Sequence, residues 1–231
     1  MEKFYTAVGR TQIRTNQSGN QNPVVICNEK EYILDLPEMI LWSVLNWHIV
    51  TADEAKLLYE SKANELDCSS ELGFYTYLQR LLQRGLIAEG NGDTPADALY
   101  SLLSNLYIVP ISENVFLRAT SFLKLTFINK IPYSVTKTIF GKDKRTSDEK
   151  KVIKLTKKAL LSTAEIIKCV ECNFLNFSNA EQLLDTLYND DTTTSDNIAE
   201  STRYLASCKP VLTSIANLYL RRQIIFEGMP R

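Results

Sequence analysis

The sequence has only one histidine, His48, and this scarcity limits the chemistry open to the chain. Ser-His or Cys-His catalysis would have a single possible base, and no recognisable nucleophile motif accompanies it. The eight glycines are scattered, so no glycine-rich loop of the kind that cradles phosphates is present. We therefore expect no enzymatic activity and no bound cofactor.

Cysteines are few and unevenly spaced, at Cys27, Cys68, Cys169, Cys172 and Cys208. An odd, scattered set favours free thiols in a reducing compartment over a disulfide framework. Cys169 and Cys172 form a Cys-x-x-Cys pair, but a structural zinc site needs four ligands. We therefore expect no metal site.

Long apolar runs are missing too, so no transmembrane segment is predicted. The N-terminal stretch "MEKFYTAVGR" has neither the apolar core nor the cleavage site of a signal peptide. Hydrophobic residues still make up 45% of the 231 residues, which is enough for a sizeable core. We expect a folded cytoplasmic protein with one domain or two small ones, and we see no internal repeat.

The net charge of −1 hides a marked asymmetry along the chain. Residues 1–117 hold 8 Lys/Arg and 15 Asp/Glu, for a net −7, and residues 118–158 hold 12 and 3, for a net +9. Residues 159–231 hold 6 and 9, for a net −3. The basic block could meet nucleic acid or an acidic partner, or it could neutralise the acidic first half within one globule.

The first 90 residues predict strands followed by helices. Residues 3–14 and the hairpin 24–27/32–36, with its turn at Asn28, have the β-branched and aromatic composition of strands. Three short helices are predicted next, over 38–46, 51–65 and 69–85. Thr51 and Glu54 have capping-box spacing, and Gly85 suits a left-handed C-cap.

The rest of the chain is predicted to be mainly helical after a strand at 107–111. Ser147 is expected to cap one helix over 148–172, and Ser178 with Glu181 is expected to start another. A long helical pattern over 198–227 is interrupted by Pro210, where a kink or break is expected.

The pattern "YILDLPEMILWSVLN", followed by "TADEA" and "RLLQRGLI", resembles two families. It is similar to a winged helix-turn-helix, with helices 51–65 and 69–85 as the pair. It also resembles the PqqD-like domains that bind leader peptides of ribosomally made, modified peptides. The resemblance covers residues 20–90 and implies a winged-helix-like domain. Together with the helical pattern of the rest of the chain, it predicts an α+β fold: a winged-helix-like domain over 1–112, then a mainly α-helical domain over 113–231.

The first hypothesis is a DNA-binding transcriptional regulator that reads DNA with its third helix. Arg and Gln reach base edges, and Thr contacts a phosphate or a thymine methyl. The basic block would add phosphate contacts, although a first half at −7 repels phosphates. The predicted DNA-binding residues are Thr76, Gln79, Arg80, Gln83, Arg84, Lys142, Lys144 and Arg145.

The alternative is a peptide-recognition or adaptor protein. An extended peptide would pair with the edge of strand 32–36, using Ile33, Leu34 and Tyr75. In both hypotheses the C-terminal part would form a homodimer or sense a signal. Its apolar positions are expected to form the dimer seam, with intrachain core as the alternative, and they are Leu205, Leu212, Ile215 and Tyr219.

Overall fold

The computed structural model describes residues 1–15, 21–68, 72–111, 145–189 and 192–228, which form a mixed α+β structure. The strands of the described ranges are β1 Glu2–Ala7, β2 Arg10–Thr15, β3 Gln21–Cys27, β4 Lys30–Tyr32, β5 Ile87–Gly92, β6 Tyr107–Pro110, β7 Leu161–Ser162 and β8 Ile224–Glu227. The helices are α1 Leu36–Leu45, α2 Ala52–Glu65, α3 Phe74–Gln83, α4 Pro95–Leu103, α5 Ser147–Thr156, α6 Thr163–Glu171, α7 Ala180–Leu187, α8 Ser195–Thr202 and α9 Cys208–Leu220.

Three small antiparallel sheets organise these elements. β1 pairs with β5, and β2, β3 and β4 form a meander in sequence order. β6 pairs with β7 on one side and with β8 on the other, so it belongs with strands that follow residue 160. The predicted stretch 3–14 is thus two strands, interrupted at Gly9, whose φ is +89°.

Local signals place the first three helices near their predicted ranges, although α3 begins at Phe74 and not at residue 69. Asp35 caps α1 by accepting a hydrogen bond from the amide of Glu38 at 2.8 Å. The capping box of Thr51 and Glu54 is present at the start of α2. Gly85 follows α3 with φ of +70°, which confirms the predicted left-handed C-cap.

The C-terminal half differs from the prediction in where its helices begin and end. The expected helix over 148–172 is two helices, because Ser162 and Glu165 form a capping box that starts α6. The cap of α5 is Thr146, in a capping box with Glu149, and not the predicted Ser147. The helix predicted to start at Ser178 is capped by Asn179 instead. Pro210 lies in the first turn of α9, where its missing amide costs nothing. The helical pattern predicted over 198–227 breaks before Pro210, between Thr202 and Cys208, and its end, Ile224–Glu227, is strand β8 instead of helix.

The described chain contains a structural repeat that the sequence does not reveal. The first unit has β1, α1, α2, α3 and β5, and the second has β6, α5, α6, α9 and β8 in the same order. In each unit the first strand pairs with the last strand and also with the residue two positions before the second helix, Val50 or Leu161. The second unit inserts α7 and α8 before its third helix.

Equivalent hydrogen bonds follow this repeat closely. The amide of Leu86 donates to the carbonyl of Leu81, and the amide of Gln223 donates to that of Leu218, both at 2.9 Å. The buried faces also coincide, because each of the four buried residues of α3 has a buried counterpart in α9. These pairs are Phe74 and Val211, Tyr77 and Ser214, Leu78 and Ile215, and Leu81 and Leu218.

Each unit has an ion pair at the equivalent position, between its first and third helices. Glu38, in the first turn of α1, accepts from Arg84 at the end of α3, at 2.8 Å. Glu149, in the first turn of α5, accepts from Arg221 at the end of α9. Both carboxylates are buried and both guanidinium groups are about one-third exposed. Each pair ties the start of the first helix of a unit to the end of its third helix.

The two units meet at the hydroxyl of Tyr219, a fully buried side chain of α9. It accepts from the amide of Trp47 at 3.0 Å, donates to the carbonyl of Ala7 at 3.3 Å and lies 3.0 Å from the hydroxyl of Thr6. Leu212 and Ile215 are buried as well, so this apolar face of α9 is intrachain core.

We predict that Tyr219→Phe destabilises the chain by about 1–3 kcal/mol, because the Trp47 amide and the Ala7 carbonyl lose their partner. Burial raises the pKa of Tyr219 to about 12. Its contribution to stability is therefore full below pH 10, the ordinary pKa, and is lost as the pH rises through 12. Urea unfolding at pH 7 and pH 11 measures both effects. Tyr204→Phe, at an 84% exposed position, is the matched control, and equal losses in the two variants would contradict the prediction.

Candidate functional site

The segment that follows the β3–β4 hairpin is an exposed apolar edge. Ile33 is 80% exposed and Leu36, at the start of α1, is 56% exposed, whereas Leu34 packs against the core. β4 ends at Tyr32, so the strand predicted over 32–36 lies earlier in the chain, and Ile33–Asp35 is assigned to neither helix nor strand. We call residues Glu31–Leu36, which include the last two residues of β4, the edge segment.

Turn geometry determines which main-chain groups of the edge segment face outward. Asn28 and Glu29 have φ of +50° and +63°, as a two-residue hairpin turn requires. Cys27 and Lys30 flank this turn and form the hydrogen-bonded pair of the ladder. Pairs alternate along the ladder, so Glu31 and Ile33 direct their amides and carbonyls away from β3.

Arg84 anchors the outer side of the edge segment. Its Nη2 donates to the carbonyl of Ile33 at 2.9 Å, while its Nη1 donates to Glu38 at 2.8 Å. The guanidinium also lies 5.6 Å from the centroid of the Tyr32 ring. A single side chain at the end of α3 therefore fixes the edge segment against both α1 and α3.

A cavity of about 640 Å³ adjoins the edge segment. The ends of β2 and β3 form one wall, and the start of α1 forms the other. Arg14 and Glu31 form an ion pair at its rim. The apolar lining consists of Pro23, Val24, Ile33, Leu34, Leu36 and Met39. This composition, apolar with few polar groups, suits side chains of an extended ligand.

The predicted DNA-reading face of α3 is exposed, with Thr76, Gln79, Arg80 and Gln83 on the surface. Arg84 is instead engaged by Glu38 and Ile33. Arg145 donates to Gln223 at 2.6 Å, which places it in the second unit, while Lys142 and Lys144 lie outside the described residues.

Tyr75 is 55% exposed, but it lies nine residues before Arg84 on α3. At about 1.5 Å per residue the two are roughly 13 Å apart along the helix. Arg84 therefore brings the C-terminal end of α3 to the edge segment, whereas Tyr75 lies towards the other end of the helix.

Glu38 and Arg84 show what the sequence could have indicated about this site. Glu38 is the single charged residue of the apolar helix α1, and a buried carboxylate needs a partner. The sequence signal for an ion pair was therefore present in α1, although nothing in it identifies Arg84 as the partner.

Among the described residues, no group of three or more His, Cys, Asp or Glu side chains is placed to hold a metal ion. Cys169 is buried, and burial raises the pKa of its thiol to about 12, while Cys172 is exposed. The two sulfurs thus lie in unlike environments, on the buried face and at the end of α6. Burial also raises the pKa of Cys27 to about 11, which disfavours a reactive thiolate there.

In the part of the chain that the structure describes, no helix is long and apolar enough to cross a membrane. Comparison with known proteins gave no match to a family model, to a curated protein or to a solved structure.

Proposed function

We propose that the chain recognises an extended peptide through its edge segment, with the first unit acting as a winged-helix-like, PqqD-like recognition module. The observation that carries the proposal is Ile33, an 80% exposed apolar residue that directly follows the edge strand β4 and whose carbonyl Arg84 holds in place. Exposed edges that are both apolar and fixed are suited to β-strand addition.

The arrangement supplies both parts of such recognition. The outward amide and carbonyl of Glu31 and the amide of Ile33 offer main-chain hydrogen bonds to an added strand. The neighbouring cavity accepts alternate side chains of that strand, since side chains of a strand point to opposite faces. Because Arg84 already holds the Ile33 carbonyl, we place the end of the paired region at Ile33.

Charge favours a basic peptide. Residues 1–117 carry a net −7, while the charge of Glu31, on the edge itself, is offset by Arg14. The exposed surface of α2 adds the acidic side chains Asp53, Glu54, Glu60 and Glu65 against the bases Lys56 and Lys62. Such a surface attracts cationic ligands and speeds their association at low salt.

The proposal is tested by selecting a displayed library of random 12-residue peptides on the immobilised full-length chain. We expect enrichment of sequences that alternate apolar residues with others and that carry Lys or Arg. An unenriched library after repeated rounds, or enrichment that persists on a chain carrying Ile33→Asp, would contradict it.

DNA binding is the second candidate, favoured by the exposed row of Thr76, Gln79, Arg80 and Gln83 on α3. We expect a DNA reader to bind fragmented genomic DNA with an affinity that falls steeply with salt. Arg80→Ala would then weaken sequence preference by about 1–3 kcal/mol. Filter binding between 50 and 200 mM salt measures this, and absent binding at the lowest salt counts against DNA. The second unit and a homodimer would support pairing of half-sites.

A further inference from the structure

An apolar groove of about 570 Å³ lies where the two units meet, between α4 and α9. Two glycines of β5 allow α4 to lie close to this sheet, because a Cβ at Gly90 would stand 2.2 Å from the amide of Leu102, and one at Gly92 would stand 2.3 Å from that of Ala98. The groove opens on the other side of α4, and its apolar walls are formed by Phe4, Ile49, Leu99, Leu212, Ala216 and Leu220.

The repeat shows how this groove differs from the surface of the first unit. Gln79 and Gln83 of α3 correspond to Ala216 and Leu220 of α9, since the ends of these helices align through Arg84 and Arg221. The outward face that is polar on α3 is therefore apolar on α9. The small Ala216 side chain leaves room in the groove that a glutamine would fill.

Positive charge stands at the mouth of the groove. Arg203 pairs with Asp97 at 2.6 Å, so these two charges offset each other. Lys209 is exposed and forms no ion pair with a carboxylate that the structure describes. Lys209 therefore offers the groove one ammonium group beside its apolar walls.

We propose that this groove binds a single-chain anionic amphiphile, with its alkyl chain between α4 and α9 and its carboxylate at Lys209. The volume lies in the range of about 300–1,000 Å³ that is usual for small-molecule sites, which are mostly apolar with a few oriented polar groups. The inference is independent of the peptide proposal, because the groove and the edge segment share no residues.

Sodium dodecanoate is the probe, titrated below its micelle concentration into the full-length chain and followed by calorimetry. We expect saturable binding of one molecule per chain, with affinity falling roughly fourfold for each methylene removed in the series from dodecanoate to octanoate.

Lys209→Glu is expected to weaken dodecanoate binding by roughly fivefold or more, and Ala216→Phe to prevent it by filling the groove. Lys157→Glu, another exposed lysine, is the matched control, and Ile33→Asp tests whether the edge segment takes up the probe instead. Absent saturation, equal weakening by Lys209→Glu and Lys157→Glu, or loss of binding in Ile33→Asp would each overturn the inference. If Ala216→Phe unfolds, the test still rests on Lys209→Glu. This is a surface variant, and its melting temperature should equal that of the unsubstituted chain.

Discussion

Replacing Arg221 with alanine is expected to lower the free energy of unfolding by about 3 kcal/mol. The Glu149 carboxylate is 1% exposed, and removal of Arg221 leaves a buried charge whose remaining hydrogen-bond donor among the described residues is the Thr146 amide, at 2.9 Å. Breaking a buried ion pair from one side costs about 3–5 kcal/mol, and we take the lower end because Arg221 is one-third exposed. Urea unfolding followed by circular dichroism measures the change.

Two further variants separate the ion pair from other effects of the substitution. Arg222→Ala, at the next position in sequence, removes an exposed arginine that forms no ion pair with a described carboxylate and should cost less than about 0.5 kcal/mol. Adding Glu149→Gln to Arg221→Ala should recover part of the loss, since the unpaired charge is removed. Similar stabilities for Arg221→Ala and Arg222→Ala would show that the ion pair does not lock the second unit.

The substitution Ile33→Asp is expected to weaken binding of the strongest selected peptide by at least thirtyfold, or about 2 kcal/mol. An 80% exposed isoleucine has nearly all of its surface to bury against a ligand, and a carboxylate there would lose water without gaining a partner. Fluorescence polarisation with labelled peptide measures the affinity.

Ile13→Asp is the matched control for that experiment. Ile13 is 66% exposed on the outer strand β2 and lies outside the cavity beside the edge segment. We expect its affinity to stay within twofold of the unsubstituted chain. Equal losses at the two positions would point to a nonspecific effect of charge, and no loss at Ile33 would place the peptide elsewhere.

Local chemistry explains why the first unit is predictable from its sequence. The cap at Thr51, the glycine at position 85 and the turn at Asn28 each act over a few residues, and all three are where the sequence places them. The same local chemistry also indicates a helix start in the second half that the prediction missed. Ser162 and Glu165 have capping-box spacing, which signals a helix start inside the predicted helix 148–172.

The repeat is not visible in the sequence because equivalent positions in the two units are both buried but are occupied by different residues. Trp42 of α1 corresponds to Ile153 of α5, and Tyr77 of α3 corresponds to Ser214 of α9, yet all four are buried. These positions share burial and differ in side-chain size and chemistry, so similarity of fold outlasts similarity of sequence. The segments between the second and third helices also differ in length, which removes any fixed period.

The candidate site was only partly predictable for a related reason. Ile33 is apolar and follows the hairpin turn, so the sequence predicts it within an edge strand, but β4 ends one residue earlier, at Tyr32. Arg84 was interpreted as a DNA contact because an arginine on a polar helix face reads as exposed. Its partners, Glu38 and the carbonyl of Ile33, are 46 and 51 residues away, and no local pattern connects such positions.

The most direct test of the account compares peptide affinity in Arg84→Ala and Arg221→Ala. The two arginines occupy equivalent places and each pairs with a buried glutamate, but only Arg84 also holds the carbonyl of Ile33. At a temperature where both variants are folded, we predict at least tenfold weaker binding for Arg84→Ala and a change of less than twofold for Arg221→Ala. Equal affinities in the two variants would contradict the claim that the edge segment of the first unit is the recognition site.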